Sequence, residues 1–390
     1  MQNFPFLFLA GIFLIFFFTV GFSSWRFRLP SVLVYILLGT AVASYLADIE
    51  TVHTVGEIGI VLLFFVLGLD FPLARMMDIS RRIWPAGLLD LGLNLGLSMA
   101  LALIFGLNLF SAFVLGSVAY ATSSSITAKL LEDKKRLANL ETEFILALLI
   151  FEDLVAPVLV SFIVGIQSGG PVSAGLMGLL GGKIVLLVLG AVSLGYYGFR
   201  KLNNFVAKHL DKDFMPLFTV GLALSYAGFA LYLGISEILG AFLAGVMLSE
   251  TGKAKDLENL TVPLRNLTLP FFFFWFGTTI SFSQGLPMVG FMLAFLVWSV
   301  LGKLLTGYFG GRLFGLTTKA STRAAFSMIQ RGEFSAIIAS WASPQLRIFS
   351  GIYILASASI GVLLLGRAPR IARRFSGNPS KGAQFPSQPD

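Results

Sequence analysis

The chain is 390 residues long, with 56% hydrophobic and only 12% charged residues and a mean hydropathy of +0.85. Soluble domains carry about 25% charged residues, so a water-soluble fold is excluded and the chain reads as an integral membrane protein. The absence of cysteine rules out disulfides, thiolate metal sites and Cys nucleophiles, and two histidines, His53 and His209, are too few for a His-based metal centre or catalytic triad.

Thirteen apolar segments follow one another at about 4–24, 31–47, 54–71, 83–106, 109–130, 142–166, 173–199, 214–232, 236–250, 260–281, 285–314, 320–341 and 347–366. With the N-terminus outside, the inward loops and tail collect all of the 28 Lys and Arg except Lys183, Lys303, Arg331 and Arg347. That is the positive-inside pattern, so the net charge of +8 reports topology and anionic headgroups rather than nucleic acid. The opening Met1-Gln-Asn-Phe-Pro5 has no basic n-region, so the first segment reads as a retained helix.

Segment four carries Asp90 and Asn94 on one helical face, with Asp90 expected near the inner end. Segment five holds Thr122-Ser-Ser-Ser-Ile-Thr127 at its centre. Consecutive hydroxyl residues favour unwinding, and an unwound stretch offers oxygen ligands suited to an alkali cation where it lines a cavity. Segment six places Glu152 and Asp153 about ten residues from either end. A carboxylate at that depth costs at least about 2.5–3.5 kcal/mol and marks an ion or proton path. Neighbouring helical residues point about 100° apart, so one acid addresses a cavity and the other an adjacent helix. Lys183 in segment seven has no evident partner. Lys303 in segment eleven either snorkels to the interface or pairs with the segment-six acids. Segment twelve contains Gln330-Arg-Gly-Glu-Phe334, where Arg331 and Glu333 flank a helix-weakening glycine and read equally as a structural ion pair or as part of transport. After Gly366 the chain turns Arg-rich and then Ser/Gly/Pro-rich, a headgroup anchor followed by a disordered tail.

Landmarks recur at a nearly constant offset. Pro30–Gly39 resembles Ser236–Gly245, Phe64–Gly68 resembles Phe273–Gly277, and the break at Ser124 matches that at Gly332. The offset is seven segments, and an odd number inverts the second copy. Inverted repeats with interrupted helices at matching positions mark a secondary transporter.

Ala121-Thr-Ser-Ser-Ser-Ile-Thr127, Leu149-Ile-Phe-Glu-Asp-Leu154, the run from Glu237 to Glu250 and Arg331-Gly-Glu-Phe334 together resemble the second monovalent cation:proton antiporter family, with its Kef-like K+/H+ and bacterial Na+/H+ members. The resemblance implies an all-α membrane protein of thirteen helices, an inverted-topology repeat and two crossed broken helices, the sodium/proton antiporter fold. It implies scaffold and dimerisation helices at 1–82, core helices at 83–170, a linker helix at 171–213, scaffold helices at 214–284, core helices at 285–366 and a cytoplasmic tail at 367–390. The expected activity is exchange of K+ or Na+ for H+ by an elevator movement, not an enzymatic reaction, and no cofactor is required. By resemblance, Asp153 and Glu152, with Thr122, Ser123 and Ser124, form the ion and proton site. Lys303, Glu333 and Arg331 compensate charge.

One departure matters: Glu152 stands where Kef-like members have Gln and two-acid sodium antiporters have Asp. A titrating Glu152–Lys303 pair favours more than one proton per cation, and a permanently ionised pair gives one-for-one exchange. The expected setting is the inner cell membrane, with a cytoplasmic C-terminus and a homodimer in the bilayer. A nucleotide-binding regulatory domain is expected as a separate subunit, removed from this chain, or absent. Rival readings are a gated K+ efflux channel and a sodium-coupled organic-solute symporter on the same fold.

Overall fold

The computed structural model describes residues 5–27, 30–43, 50–70, 73–136, 138–169, 174–195, 214–249, 251, 253–280 and 288–375. The basic residues Arg200, Lys201, Lys208 and Lys212, together with His209, Glu250 and the predicted disordered tail from 376 onward, lie outside the described residues.

Among the described residues the secondary structure is helical throughout. In chain order the helices are α1 (Phe6–Arg26), α2 (Ser31–Val42), α3 (Glu50–Leu69), α4 (Leu73–Asp90), α5 (Leu97–Ile104), α6 (Leu109–Tyr120), α7 (Ser124–Asp133) and α8 (Leu140–Gly169). They continue with α9 (Ala174–Ser193), α10 (Met215–Tyr232), α11 (Glu237–Ser249), α12 (Ala254–Thr278), α13 (Val289–Leu305), α14 (Thr318–Ala325), α15 (Glu333–Ser340) and α16 (Pro344–Phe375). A π-helical turn, Leu91–Gly96, joins α4 to α5, and another, Thr306–Gly310, extends α13 towards Gly311–Leu313. Seven of these stretches are long and apolar enough to cross a membrane alone, and four apolar helices are shorter. The outer surface is apolar, with Leu7, Phe18, Leu186 and Leu217 well exposed. Apolar exposure on that scale fits a lipid-facing surface and not water.

The order follows the thirteen predicted segments, with segment five split into α6 and α7 and segment twelve into α14 and α15. The break in segment five is narrower than the predicted Thr122–Thr127. Only Ala121–Ser123 leave the helix, because Ser123 caps α7 by accepting from Ile126 N at 3.3 Å. Hydroxyl residues thus restart the helix as well as interrupt it.

The repeat is visible in the packing. Helices α2, α3, α11 and α12 lie against one another, and α4–α6, α8 and α13–α16 make a second set of mutual contacts. In the first set Gly39 meets Gly277, and Gly68 meets Gly245, so that a β-carbon at any of the four would strike the facing backbone. The landmarks related by sequence offset therefore pack crosswise, α2 on α12 and α3 on α11, in two equivalent close approaches.

At the end of the second set where α7 stops and α8 starts, Glu141 is fully buried. It receives Arg136 Nη2 at 3.1 Å, Arg323 Nη2 at 2.7 Å and Asn139 Nδ2 at 3.1 Å. Arg136 also donates to Ser327 Oγ at 3.1 Å. These bonds tie the α7–α8 turn to α14. Both arginines also satisfy the positive-inside pattern, which gives no hint of this network. Lys183, predicted without a partner, donates to Leu233 O at 2.7 Å and so caps the carbonyl end of α10.

Candidate ion-binding site

The two broken segments cross through backbone and hydroxyl bonds. Ser123 N donates to Gln330 O at 2.9 Å. Ser335 Oγ, on α15, contacts Val118 O at 2.8 Å and Ala121 O at 3.0 Å, serving carbonyls that the end of α6 leaves without helical partners. Gln330 Nε2 donates to Thr127 Oγ1 on α7. Gly332 is required at the crossing, because a β-carbon there would collide with the Ser123 side chain. Each interrupted segment thus satisfies the other's exposed backbone, which is how irregular chain persists at membrane depth.

Four carboxylates gather around this crossing. Glu152 is 1% exposed and Asp153 5% exposed. Glu152 reaches both the break and an adjacent helix. Its carboxylate accepts from Thr122 N at 2.5 Å and from Thr122 Oγ1 at 3.1 Å, while Oε1 also lies 3.0 Å from Lys303 Nζ. Asp153 has Ser124, Glu152 and Glu333 as its electrostatic neighbours. Among the described residues no Lys or Arg lies within ion-pair distance of Asp153. Glu333 accepts from Ser123 Oγ at 2.8 Å.

Lys303 is fully buried, which excludes the snorkelling reading. The fourth carboxylate belongs to Asp90, and here the structure corrects the expectation. Asp90 is not at an inner helix end but fully buried against Lys303, at 2.9 Å from Oδ1 and 3.0 Å from Oδ2. The cause is the pair of π-helical turns. One follows Asp90 directly and the other begins three residues after Lys303. A π turn widens the helix and rotates the residues beside it. Asn94, in the first turn, donates to Asp90 Oδ1 at 2.8 Å and to Thr306 Oγ1, in the second, at 3.0 Å. Gly302 leaves room for the Asn94 side chain, to which a β-carbon would come within 2.8 Å.

Arg331 and Glu333, read as a possible pair, turn to different partners. Arg331 is fully buried and donates to Ile329 O at 3.2 Å, while its Nε and Nη2 have no hydrogen-bond partner among the described residues. The structure thus brings Thr122, Ser123, Ser124, Glu152, Asp153, Lys303 and Glu333 around one crossing and adds Asp90.

A cavity of about 420 Å³ opens where α3, α11 and α16 begin and where α8 and α15 end. Its walls include His53, Glu57, Glu237, Trp275, Trp341 and Arg347. His53 lies 3.4 Å from Glu57 and rests tilted against Trp275, with ring centroids 4.0 Å apart and 41° between the planes. The lining also reaches Ile337, one helical turn along α15 from Glu333.

The model of the sodium/hydrogen exchanger transmembrane family matches residues 12–365. The chain is 52% identical over 377 residues to the ammonium/H+ antiporter subunit AmhT of Alkalihalophilus pseudofirmus, covering 97% of each. It is 32% identical to the K+/H+ antiporter subunit KhtU of Bacillus subtilis, over 86% of this chain and 84% of that protein. With the Na+/H+-K+ antiporter GerN of Bacillus cereus it shares 27% identity over 87% and 88%. The solved structure of the sodium proton antiporter MjNhaP1 from Methanocaldococcus jannaschii at pH 8 is similar in fold, with a TM-score of 0.69 and 16% identity over 95% of this chain and 99% of that one. These likenesses agree with the resemblance read from the motifs and with the predicted fold class.

Proposed function

The chain belongs to the sodium/hydrogen exchanger family, and on that premise we propose that it is a secondary-active antiporter exchanging a monovalent cation for protons at Asp153. The observation that carries this reading is Asp153 itself: buried, and without a cationic partner among the described residues. An ionised carboxylate at that depth is tolerable only when protonated, paired or coordinated to a cation. With no fixed cation in place, proton and transported cation become alternatives. Thr122, Ser123 and Ser124 supply oxygen ligands beside it, hard donors suited to an alkali or ammonium ion.

Exclusive occupancy becomes antiport once access alternates. We assign α1–α3 and α10–α12 to a static scaffold, stiffened by the Gly39–Gly277 and Gly68–Gly245 contacts, and α4–α8 with α13–α16 to a moving core. The cavity between α3, α11 and α12 on one side and α8, α15 and α16 on the other is then the access vestibule, on the outer face if the basic loops lie inside. Its acidic and aromatic lining favours a cation over an anion, which speaks against an organic-anion symporter. The transported ion is K+, Na+ or NH4+. Ammonium leads, since the 52%-identical relative carries ammonium in its name. Two relatives are named as subunits, which favours a separate partner protein in addition to a homodimer in the inner membrane.

The test is collapse of an imposed pH gradient in everted vesicles, titrated with NH4+, K+, Na+, Li+ and Rb+. Saturable, cation-dependent collapse is expected, with NH4+ or K+ at the lowest half-saturating concentration. Flux that never saturates would identify a channel, and flux that needs a co-solute would identify a symporter.

A further inference from the structure

We propose that the vestibule holds an outer cation site on the Trp275 ring beside Glu57 and Glu237, and that the Arg347 guanidinium occupies it in this structure as a tethered competitor of the incoming ion. This rests on the reading of the chain as a cation/proton antiporter and extends it to how the cation is admitted.

Arg347 is one of the four basic residues outside the inward loops. The other three have local roles: Lys183 caps α10, Lys303 holds two carboxylates, and Arg331 bonds to Ile329 O beside the crossing. A basic residue at the outer end runs against the positive-inside pattern, so Arg347 calls for a local role as well. It stands near the start of α16, in the wall of the cavity of about 420 Å³. Its guanidinium carbon lies 5.8 Å from the Trp275 ring centroid, and Nη2 donates to Ala342 O at 3.4 Å. A cation within about 6 Å of an indole face is attracted by the ring quadrupole. Trp341 brings a second indole to the same cavity, and Glu57 and Glu237 bring two carboxylates that are electrostatic neighbours. His53 rests on Trp275 as well, beside Glu57. A guanidinium is a weakly hydrated monovalent cation, so the surface that holds it also suits K+ or NH4+.

The contact also bridges the two bodies assigned above. Arg347 belongs to α16 in the core, whereas Trp275, Glu57 and Glu237 belong to α12, α3 and α11 in the scaffold. Movement of the core draws the guanidinium off the ring, so the competition acts only while the ion site faces the vestibule. An ion arriving there has to displace Arg347 before it meets the ring and the two acids. A site left free for about a tenth of the time binds with about a tenth of its intrinsic affinity. Arg347 therefore weakens the apparent affinity at the vestibule face and leaves the opposite face to the Asp153 site alone.

The experiment is the half-saturating K+ concentration for proton flux, measured in right-side-out vesicles, which present the vestibule, and in everted vesicles, which present the opposite face. Arg347→Gln is expected to lower the ratio of the vestibule-face value to the opposite-face value about three- to tenfold. Arg347→Lys keeps a tethered cation and is expected to stay within about twofold of the wild-type ratio. Guanidinium chloride added at the vestibule face is expected to return the Arg347→Gln ratio towards that of the wild type. Glu57→Gln, which removes an acid from the site, is expected to raise the vestibule-face value. An unchanged ratio in Arg347→Gln, a shift equal at both faces, or one confined to everted vesicles overturns the proposal. Should Arg347→Gln fail to fold, an unchanged vestibule-face value in Glu57→Gln overturns it. Each of these results leaves the antiporter reading intact, whereas an absence of saturable K+-, Na+- or NH4+-driven proton flux in the wild type would refute that reading instead.

Discussion

Asp153→Asn is expected to reduce cation-driven proton flux at least a hundredfold, to the level of protein-free liposomes. The amide is nearly isosteric, so the fold and the crossing should persist. What disappears is the one group that can hold either a proton or a cation. A unit charge pair at 4 Å with an effective dielectric of 20 is worth about 4 kcal/mol, roughly a thousandfold in cation occupancy. Asp153→Glu keeps the charge but displaces it by a methylene, and is expected to retain partial activity with a raised half-saturating concentration. The assay is pH-dye quenching in proteoliposomes containing matched amounts of folded protein. Wild-type flux in the Asn variant would move the ion site to another carboxylate of the crossing.

Lys303→Ala is expected to be the most destabilising single substitution in the core. It removes the ammonium from between Asp90 and Glu152, all three being buried. Breaking a buried pair in this way costs about 3–5 kcal/mol because the partners are left uncompensated. Thermal unfolding in detergent should show the variant melting well below the wild type. Adding Asp90→Asn to Lys303→Ala should restore part of the lost stability, a coupling of about 0.5–3 kcal/mol between contacting groups. A melting temperature as high as that of the wild type would contradict this role of Lys303.

Much of this architecture was legible in the sequence, for identifiable physical reasons. Membrane-crossing helices need long apolar runs, and basic loops report orientation, so the segments could be counted before their packing was known. The repeat could be read from glycines because close helix approach demands them: Gly39 and Gly245, and Gly68 and Gly277, stand at nearly the same offset, and the four meet pairwise as Gly39–Gly277 and Gly68–Gly245. Glu152 and Asp153 stood out because charge is costly at depth.

Asp90 was placed at the wrong level because its meaning depends on a lysine 213 positions away and on two π-helical turns. Such turns re-aim side chains without leaving a mark on apolar periodicity. Asn94, four residues after Asp90 and bonded to it, was the available signal. Lys183 gave no clue to its partner because that partner is a backbone carbonyl, Leu233 O. The Arg136–Glu141–Arg323 network was hidden for a different reason. The same arginines satisfy the positive-inside pattern, and topology explained them without any appeal to contacts.

The central claim is that proton and cation occupy Asp153 in turn, and the dependence of the apparent KM for the cation on pH tests it most directly. Competition predicts that KM rises steeply as pH falls, by up to about tenfold per unit for each competing proton, while the rate at saturating cation stays nearly constant. A KM that holds steady across the same range, with only the maximal rate changing, would contradict it.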